Sequence, residues 1–463
     1  MVPEQVVAIA QRVARIGGRA LLVGGYVRDR LLGLEPKDVD VEVHGLALEE
    51  LERLLAEFGE VVAVGRAFGV LRIKGLDVDF SLPRRDSKAG QGHRGFVIQT
   101  DPDMGFEAAS RRRDVRINSM GLDPLSDEIL DPHDGRGDLQ RGLLRATDPA
   151  YFAEDPLRGV RVAQLMARFE LTPDAELVAL CRQLDLSELS GERIFEELRK
   201  LLLKGRKPSL GLRALEDFGY LRFFPELAAL VGVPQEPEWH PEGDVWTHTL
   251  MVVDEAALLR DGGEDDLTLM FAALCHDFGK PSTTVFERER VRSPAHDVAG
   301  VPLARAFLER LRASSTLTKR VAALVEHHLA PALFVKNDAG ARGYRRLARD
   351  LSRADVSLEL LLRLARADHL GRTTAEALTR RFSYGERFLA RARELLIERR
   401  PPRDVVLGRH LIARGMTPGV KFGELLARCR DLQDETGWTD ADQILDAVLA
   451  QAAAREQAGA LKA

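Results

Sequence analysis

The sequence predicts an α+β protein, a small N-terminal α/β head followed by an all-α remainder. Three observations lead there. Strand-like runs, "ALLVGG", "DVDVEV" and "GVLRIKGLDVDFSLP", fall mainly before residue 125. Beyond that point Leu, Ala, Arg and Glu recur at helical spacing. Two polar, proline-bearing segments, "EPEWHPEGD" (236–244) and "RRPPRD" (399–404), interrupt the helical pattern and read as a boundary and a linker. With 463 residues, 45% of them hydrophobic, the chain can bury a large core. The expected segments are a head (1–125), a helical neck and body (126–235), a histidine-bearing helical domain (236–398) and a helical tail (399–463).

In chain order, residues 1–20 read as an amphipathic helix, and "ALLVGG" and "DVDVEV" as the first two strands. The helix "YVRDRLLG" between them is closed by Gly33. "ALEELERLLAEFG" is a further helix, and a turn at Lys74–Gly75 separates the next two strands. Cys181, Cys275 and Cys429 are far apart and match neither zinc nor disulfide spacing, which suits a reducing, cytoplasmic compartment. No run approaches about 18 apolar residues, so no membrane span is expected. The net charge of −5 does not advertise a nucleic-acid binder. Three arginine-rich helical stretches, 199–213, 342–353 and 380–395, read equally as solvated faces or as a track for a phosphate backbone.

The stretch "LLVGGYVRDRLLGLEPKDVDVEVHG" (21–45) carries the first candidate site. Side chains two apart on a strand share a face, so Asp38 and Asp40 project together. Clustered carboxylates call for a cation, and Mg²⁺ prefers such oxygen ligands. Asp77 and Asp79 stand on a neighbouring strand, and Asp79 could complete a three-carboxylate cluster. Gly24 and Gly25 at a helix start let backbone N–H groups approach a triphosphate, with Arg28 on the first turn placed for a phosphate oxygen.

These residues resemble the opening motif of the class II tRNA nucleotidyltransferase and bacterial poly(A) polymerase family, within the DNA polymerase beta superfamily. "RRRDVRINSM" (111–120) is similar to its sugar-contacting motif and "DPHDGRGDLQRGLLRA" (131–146) to its neck. "EDPLRGVRVAQLMARF" (154–169) resembles the base-selecting motif, and "SGERIFEELRKLL" (190–202) the helix after it. The resemblance implies a nucleotidyltransferase head using Mg²⁺, with Asp38 and Asp40 as metal ligands and Asp79 a third. It implies that Arg113, Asp114 and Asn118 face the ribose and phosphates. Glu154, Asp155, Arg158 and Arg161 would form the base template and its support; read locally, the first three are equally a helix cap with an ion pair. "RRDSKAGQGHRG" (84–95) reads as a mobile loop over the nucleotide or a plain connector.

The second candidate site lies in "VWTHTL", "LCHDFGK" and "ARADHLGR", which supply His248, the adjacent His276 and Asp277, and Asp368. This order resembles the HD metal-dependent phosphohydrolase superfamily. Imidazole and carboxylate together suit a divalent ion such as Mn²⁺, Ni²⁺, Mg²⁺ or Zn²⁺. His296 and one of His327 and His328 are candidates for a second ion or a phosphate. Relatives with this domain imply 2′,3′-cyclic phosphodiesterase, 2′-nucleotidase or phosphatase chemistry. The tail resembles a tRNA-binding or dimer-forming segment, so a homodimer stays open.

The reading that follows is addition of C and A to the tRNA 3′ end, with tRNA, CTP and ATP as partners. An enzyme adding only CC or only A, or a poly(A) polymerase, shares the fold. A poly(A) polymerase usually carries a long basic tail, unlike "QAAAREQAGALKA". In a different class stands an HD phosphohydrolase whose head only binds RNA, a role that does not require clustered acids.

Overall fold

The computed structural model describes residues 2–36, 38–63, 69–88 and 96–460. They form two compact units, Met1–Phe223 and Phe224–Ala463.

The first unit is built on a seven-stranded sheet of order β3-β4-β5-β2-β1-β8-β9. Its strands are β1 (Arg19–Val23), β2 (Val39–His44), β3 (Val61–Ala63), β4 (Val70–Ile73), β5 (Val78–Ser81), β8 (Gly121–Leu122) and β9 (Ile129–Leu130). Among these pairs only β2 and β5 run parallel, and the crossover that this requires contains the helix Leu48–Ala56. Leu22, Val41, Val43, Phe80 and Leu122 fill one face of the sheet. The helix Glu4–Arg15 covers that core with Val6, Ile9, Ala10 and Val13, an apolar stripe at helical spacing. A separate antiparallel pair, β6 (Arg84–Lys88) with β7 (Phe96–Thr100), flanks the glycine-rich segment; residues 89–95 of that expected loop lie outside the described residues.

The helix Leu157–Phe169 packs against the helices Gly191–Lys204 and Pro208–Asp217. Gly159 makes room for this packing, because a Cβ there would stand 1.9 Å from the Tyr220 hydroxyl. That hydroxyl donates to the Cys181 carbonyl at 2.6 Å.

In the second unit the helix Asp266–Cys275 is the buried centre, packed by the helices Val245–Leu258, Ser315–His327 and Leu358–Leu370. Asp244, Ser314 and Ser357 cap three of these, each side-chain oxygen accepting the N–H of a residue in the first turn. The unit is not wholly helical, since Val285–Glu287 and Arg290–Arg292 form a hairpin. The tail helices Gly408–Ala413, Val420–Thr436 and Ala441–Ala460 enclose a small core of Val406, Leu411, Cys429, Ile444, Leu445 and Val448. The basic stretch 342–353 is partly committed to holding this tail: Arg345 donates to the Asp434 carbonyl at 2.7 Å, and Arg349 pairs with Asp404 and Asp434. No described helix is long and apolar enough to cross a membrane.

On β2 the period-two face that carries Asp40 continues to Glu42, which is fully buried. Its carboxylate lies 3.5 Å from both Arg112 and Arg113 and 3.3 Å from His44 Nε2. Burial pushes the Glu42 carboxyl up, but His44 and the charges of Arg113 and Arg112 outweigh it and hold the pKa at about 2, against an ordinary 4.5. A carboxylate depressed in this way stabilises the fold above pH about 4.5 and loses that contribution as pH falls towards about 2. At about 1.4 kcal/mol per pKa unit, the contribution at neutral pH is on the order of 3 kcal/mol. Denaturant unfolding measured in pH steps should therefore show a loss of stability across this window. Glu42→Gln should flatten that part of the profile and be less stable at pH 7; an unchanged acid slope would remove Glu42 as its source.

Candidate active site in the head and candidate metal centre in the second unit

A cleft of about 520 Å³ opens in the first unit where the end of β1, β2, β5 and the start of the helix Leu157–Phe169 converge. The register places Asp40 beside Val23 on one side and Asp79 on the other. The two carboxylates therefore face the cleft together. Asp40 is open to solvent but recessed in the concave wall. That desolvation first, then the charges of Asp79 and Asp38, raise its pKa against the pull of Arg113 and Arg72. Asp79 is held by Arg72 at 2.7 Å. Asp38, just before β2, is largely exposed and stands 4.0 Å from Lys204 Nζ, at the cleft's edge rather than in its lining. Asp77 is also exposed, 3.5 Å from Arg72 and outside the lining. Asp40 and Asp79 offer the cleft an all-oxygen donor pair of the type a hard divalent cation takes, while Asp38 stands outside its lining, and the three do not form a group with metal-ligand spacing.

Gly24 precedes the helix Gly25–Leu31 with φ 73°, a conformation open to glycine. A Cβ there would meet Arg113 Nη1 at 3.1 Å and lie 3.8 Å from an Asp40 oxygen. The backbone is thus bare where a phosphate would approach. Arg28 lines the cleft but is buried, with its guanidinium bound to Asp29 at 2.8 and 2.6 Å and to Asn118 Oδ1 at 2.6 Å. The bond to Asn118 orients that side chain, and Arg28 stays in the cleft lining where a phosphate contact was expected of it. Asn118 in turn donates to Asp114 Oδ1 at 3.1 Å, and Arg161 reaches Asp114 Oδ2 at 3.3 Å. Burial acts to raise the Asp114 pKa, but Arg161, Asn118, the Val115 N–H and Arg158 hold it below the usual range.

The same cleft is lined by Asp155, Arg158 and Arg161, at the opening of the helix Leu157–Phe169. Asp155 Oδ1 accepts the Leu157 N–H at 3.1 Å, the helix-start contact expected locally, and both its oxygens also accept from Arg193, at 3.1 and 2.9 Å. Arg158 donates to the carbonyls of Tyr151 and Arg112. Glu154 is not part of the lining. Sequence reading did not nominate Glu42, Arg193, Ser81 or Arg84, the last two also lining the cleft. For Glu42 the signal was present, as the third acid of the alternating face.

In the second unit His248, His276, Asp277, His296, His328 and Asp368 are all buried and come together. Of the histidine pair, His328 faces inward, 2% exposed. The Nδ1 atoms of His276, His296 and His328 each bond the carbonyl three residues earlier, at 2.8, 2.8 and 2.7 Å. A carbonyl only accepts, so each Nδ1 carries the proton and, in a neutral ring, leaves Nε2 as a lone pair directed inward. Burial, then His296 and His276, push the His328 pKa down to about 3, which keeps that ring neutral. The Nε2 atoms of His296 and His328 are 3.3 Å apart, and His296 Nε2 is 3.3 Å from Asp277 Oδ1. His276 Nε2 is 3.2 Å from Asp277 Oδ2, and His248 Nε2 is 3.1 Å from Asp368. Neither Asp277 oxygen nor His276 Nε2 has a directed hydrogen bond, although Lys280 Nζ lies 2.7 Å from Oδ2. Asp277 belongs to two groups with metal-ligand spacing, His248–His276–Asp277 and Asp277–His296–His328. This donor set fits one or two divalent ions bridged by a carboxylate. Arg372, which holds Asp368 at 3.0 and 3.1 Å, was not nominated from the sequence.

Residues 20–145 match the poly A polymerase head domain, 171–230 the probable RNA and SrmB-binding site of polymerase A, and 245–372 the HD domain. The fold is similar to a Bacillus stearothermophilus CCA-adding enzyme solved with CTP, at 21% identity and TM-score 0.70, covering 99% of this chain and 100% of that one. It is also similar to a Thermotoga maritima CCA-adding enzyme complexed with tRNA (19% identity, TM-score 0.59, 97% and 96% covered). A third similar structure is a CCA-adding enzyme with ATP (18%, 0.61, 97% and 94%). The ordered head motifs, the RNA-binding segment and the buried His–Asp cluster agree with these matches, and the chain belongs to the tRNA nucleotidyltransferase and bacterial poly(A) polymerase family, with an HD domain in its second unit.

Proposed function

We propose that the chain adds C and A residues to the 3′ end of tRNA from CTP and ATP, without a nucleic-acid template. One observation carries the proposal: a single cleft is lined by Asp40 and Asp79 from the sheet and by Asp155 and Arg158 from the opening of the helix Leu157–Phe169. The sheet pair suits the reacting phosphates and the helix pair a base. Structures of similar fold solved with CTP, ATP and tRNA support a nucleotidyltransferase acting on tRNA; a partial CC- or A-adding enzyme or a poly(A) polymerase shares that fold and is separated by the extension assay below.

Asp40 and Asp38, with Asp79, would hold two Mg²⁺ ions, which when bound activate the attacking 3′-hydroxyl and neutralise the leaving pyrophosphate. Arg113 and the backbone at Gly24 and Gly25 receive the triphosphate. Arg28, through Asn118 and Asp114, holds the sugar-facing edge in place. Base choice follows from hydrogen-bond pattern. Cytosine and adenine each present a ring-nitrogen acceptor beside an amine donor, whereas uracil and guanine present a ring N–H beside a carbonyl. Asp155 accepts from the amine, and Arg158, which has five N–H donors, keeps some for the ring nitrogen after serving two carbonyls. With the wrong base each unpaired buried group costs roughly 1–3 kcal/mol, enough for discrimination of several orders of magnitude. Arg193 keeps Asp155 turned towards this role.

The buried His–Asp cluster favours a second activity, metal-dependent phosphohydrolysis of RNA ends such as a 2′,3′-cyclic phosphate, with Ni²⁺, Mn²⁺ or a similar ion. His248, His276, Asp277 and Asp368 would hold one ion, and His296 and His328, sharing Asp277, a second.

Extension of tRNAs ending before, within or just short of CCA, with CTP and ATP supplied separately, tests the first activity. Phosphate release from a cyclic phosphate tests the second. Asp40→Ala should abolish nucleotide incorporation while tRNA binding, carried by cationic helices, stays nearly intact; incorporation above a few per cent of wild type would discard these carboxylates. In the same assays His276→Ala should eliminate cyclic-phosphate hydrolysis and leave incorporation unchanged, because the two sites belong to separate compact units. Asp155→Ala or Arg158→Ala should sharply lower CTP and ATP use and narrow the gap to UTP and GTP. A single variant that keeps the wild-type preference for CTP over UTP would turn attention to Glu154 and Arg161.

A further inference from the structure

The polar segment ahead of the helix Val245–Leu258 reads in the sequence as a boundary, and the HD match begins only at residue 245. In the structure this segment is bound into the wall of the His–Asp centre. Gln235 Oε1 accepts from Lys280 Nζ at 2.6 Å, and the same Nζ lies 2.7 Å from Asp277 Oδ2. Glu236 Oε2 accepts the Val291 N–H at 3.0 Å. The Glu242 side chain is only 1% exposed. Its Oε1 stands 2.8 Å from His248 Nδ1 and 2.9 Å from His240 Nδ1, and its Oε2 accepts the Thr373 N–H at 3.1 Å.

We infer that Glu242 is the positioning residue of this centre: it sets the ring orientation and tautomer of His248. Resting on the metal-binding reading above, the inference adds a residue outside the HD segment to the site. His276, His296 and His328 each have a backbone carbonyl on Nδ1. His248 has the Glu242 carboxylate 2.8 Å from Nδ1, off the line of a directed hydrogen bond, while its Nε2 is hydrogen-bonded to Asp368 at 3.1 Å. When an ion displaces the proton between Nε2 and Asp368, the ring keeps its proton on Nδ1, where Glu242 is the acceptor at hand. The Thr373 N–H ties the same carboxylate to the chain five residues after Asp368, so one side chain spans the two segments that supply His248 and Asp368. His240, the second ring on Oε1, packs edge-on against His248 with centroids 4.6 Å apart and limits its swing.

Ni²⁺ is the probe, because it prefers imidazole to the all-oxygen set of the head. Equilibrium dialysis of the full chain with Ni²⁺ should show affinity ~10- to 100-fold weaker in Glu242→Ala, the usual loss when an outer carboxylate on a ligating histidine is removed. Glu242→Gln keeps an oxygen that can accept from Nδ1, and should recover most of the affinity. CTP incorporation into tRNA by the same preparations should be unchanged. Wild-type Ni²⁺ affinity in Glu242→Ala would overturn the inference. So would a loss in Glu242→Gln as large as in Glu242→Ala, since that would point to disturbed packing rather than to the oxygen beside His248. Failure of the metal reading itself looks different: the unsubstituted chain would bind no Ni²⁺.

Discussion

Bringing carboxylates together on one face of a sheet is the constraint around which the head is built. Asp40 and Asp79 are adjacent because β2 and β5 run parallel in that register, and their mutual repulsion opposes the arrangement. The surrounding cations answer it at graded distances. Arg72 pairs directly with Asp79, Arg113 acts on Asp40 through space, and Lys204 approaches Asp38. Desolvation in the cleft, with the charges of Asp79 and Asp38, still holds the Asp40 carboxyl above its ordinary range.

Deeper in the same strand Glu42 reverses the problem. There the buried charge is negative and the partners, Arg112 and Arg113, come from the segment that also faces the cleft. The ion cluster thus links the strand bearing the acids to Arg113, expected at the ribose and phosphates, and to its neighbour Arg112. A second network, from Arg28 through Asn118 and Asp114 to Arg161, links the glycine-led helix to the helix Leu157–Phe169. Both networks brace residues that line the cleft.

The second unit uses another device. Three histidines direct their protons at carbonyls three residues earlier in the chain, so their lone pairs converge without needing distant partners. His248 lies at the start of its helix and depends on a carboxylate from outside it. The centre thus combines ligands that are oriented locally with one that is oriented by long-range packing.

What the sequence by itself determined is what local periodicity encodes. The shared face of Asp38 and Asp40, the paired glycines before a helix, and the adjacent His276–Asp277 were legible because strand and helix periods are short. The helical remainder was legible for the same reason, though the small hairpin at 285–292 was not. Tertiary structure decided the pairings between distant segments. Arg193 meets Asp155 from 38 residues away, and Arg112 meets Glu42 from 70. It chose His328 over His327 by rotation at a helix end, and joined Arg28 to Asn118 across the cleft floor of the head. It also turned a polar segment that reads as a boundary into a wall of the His–Asp centre. Residue type and spacing specify which groups a segment can offer, but whether a charge is buried, and against what, depends on chain that folds back from far along the sequence.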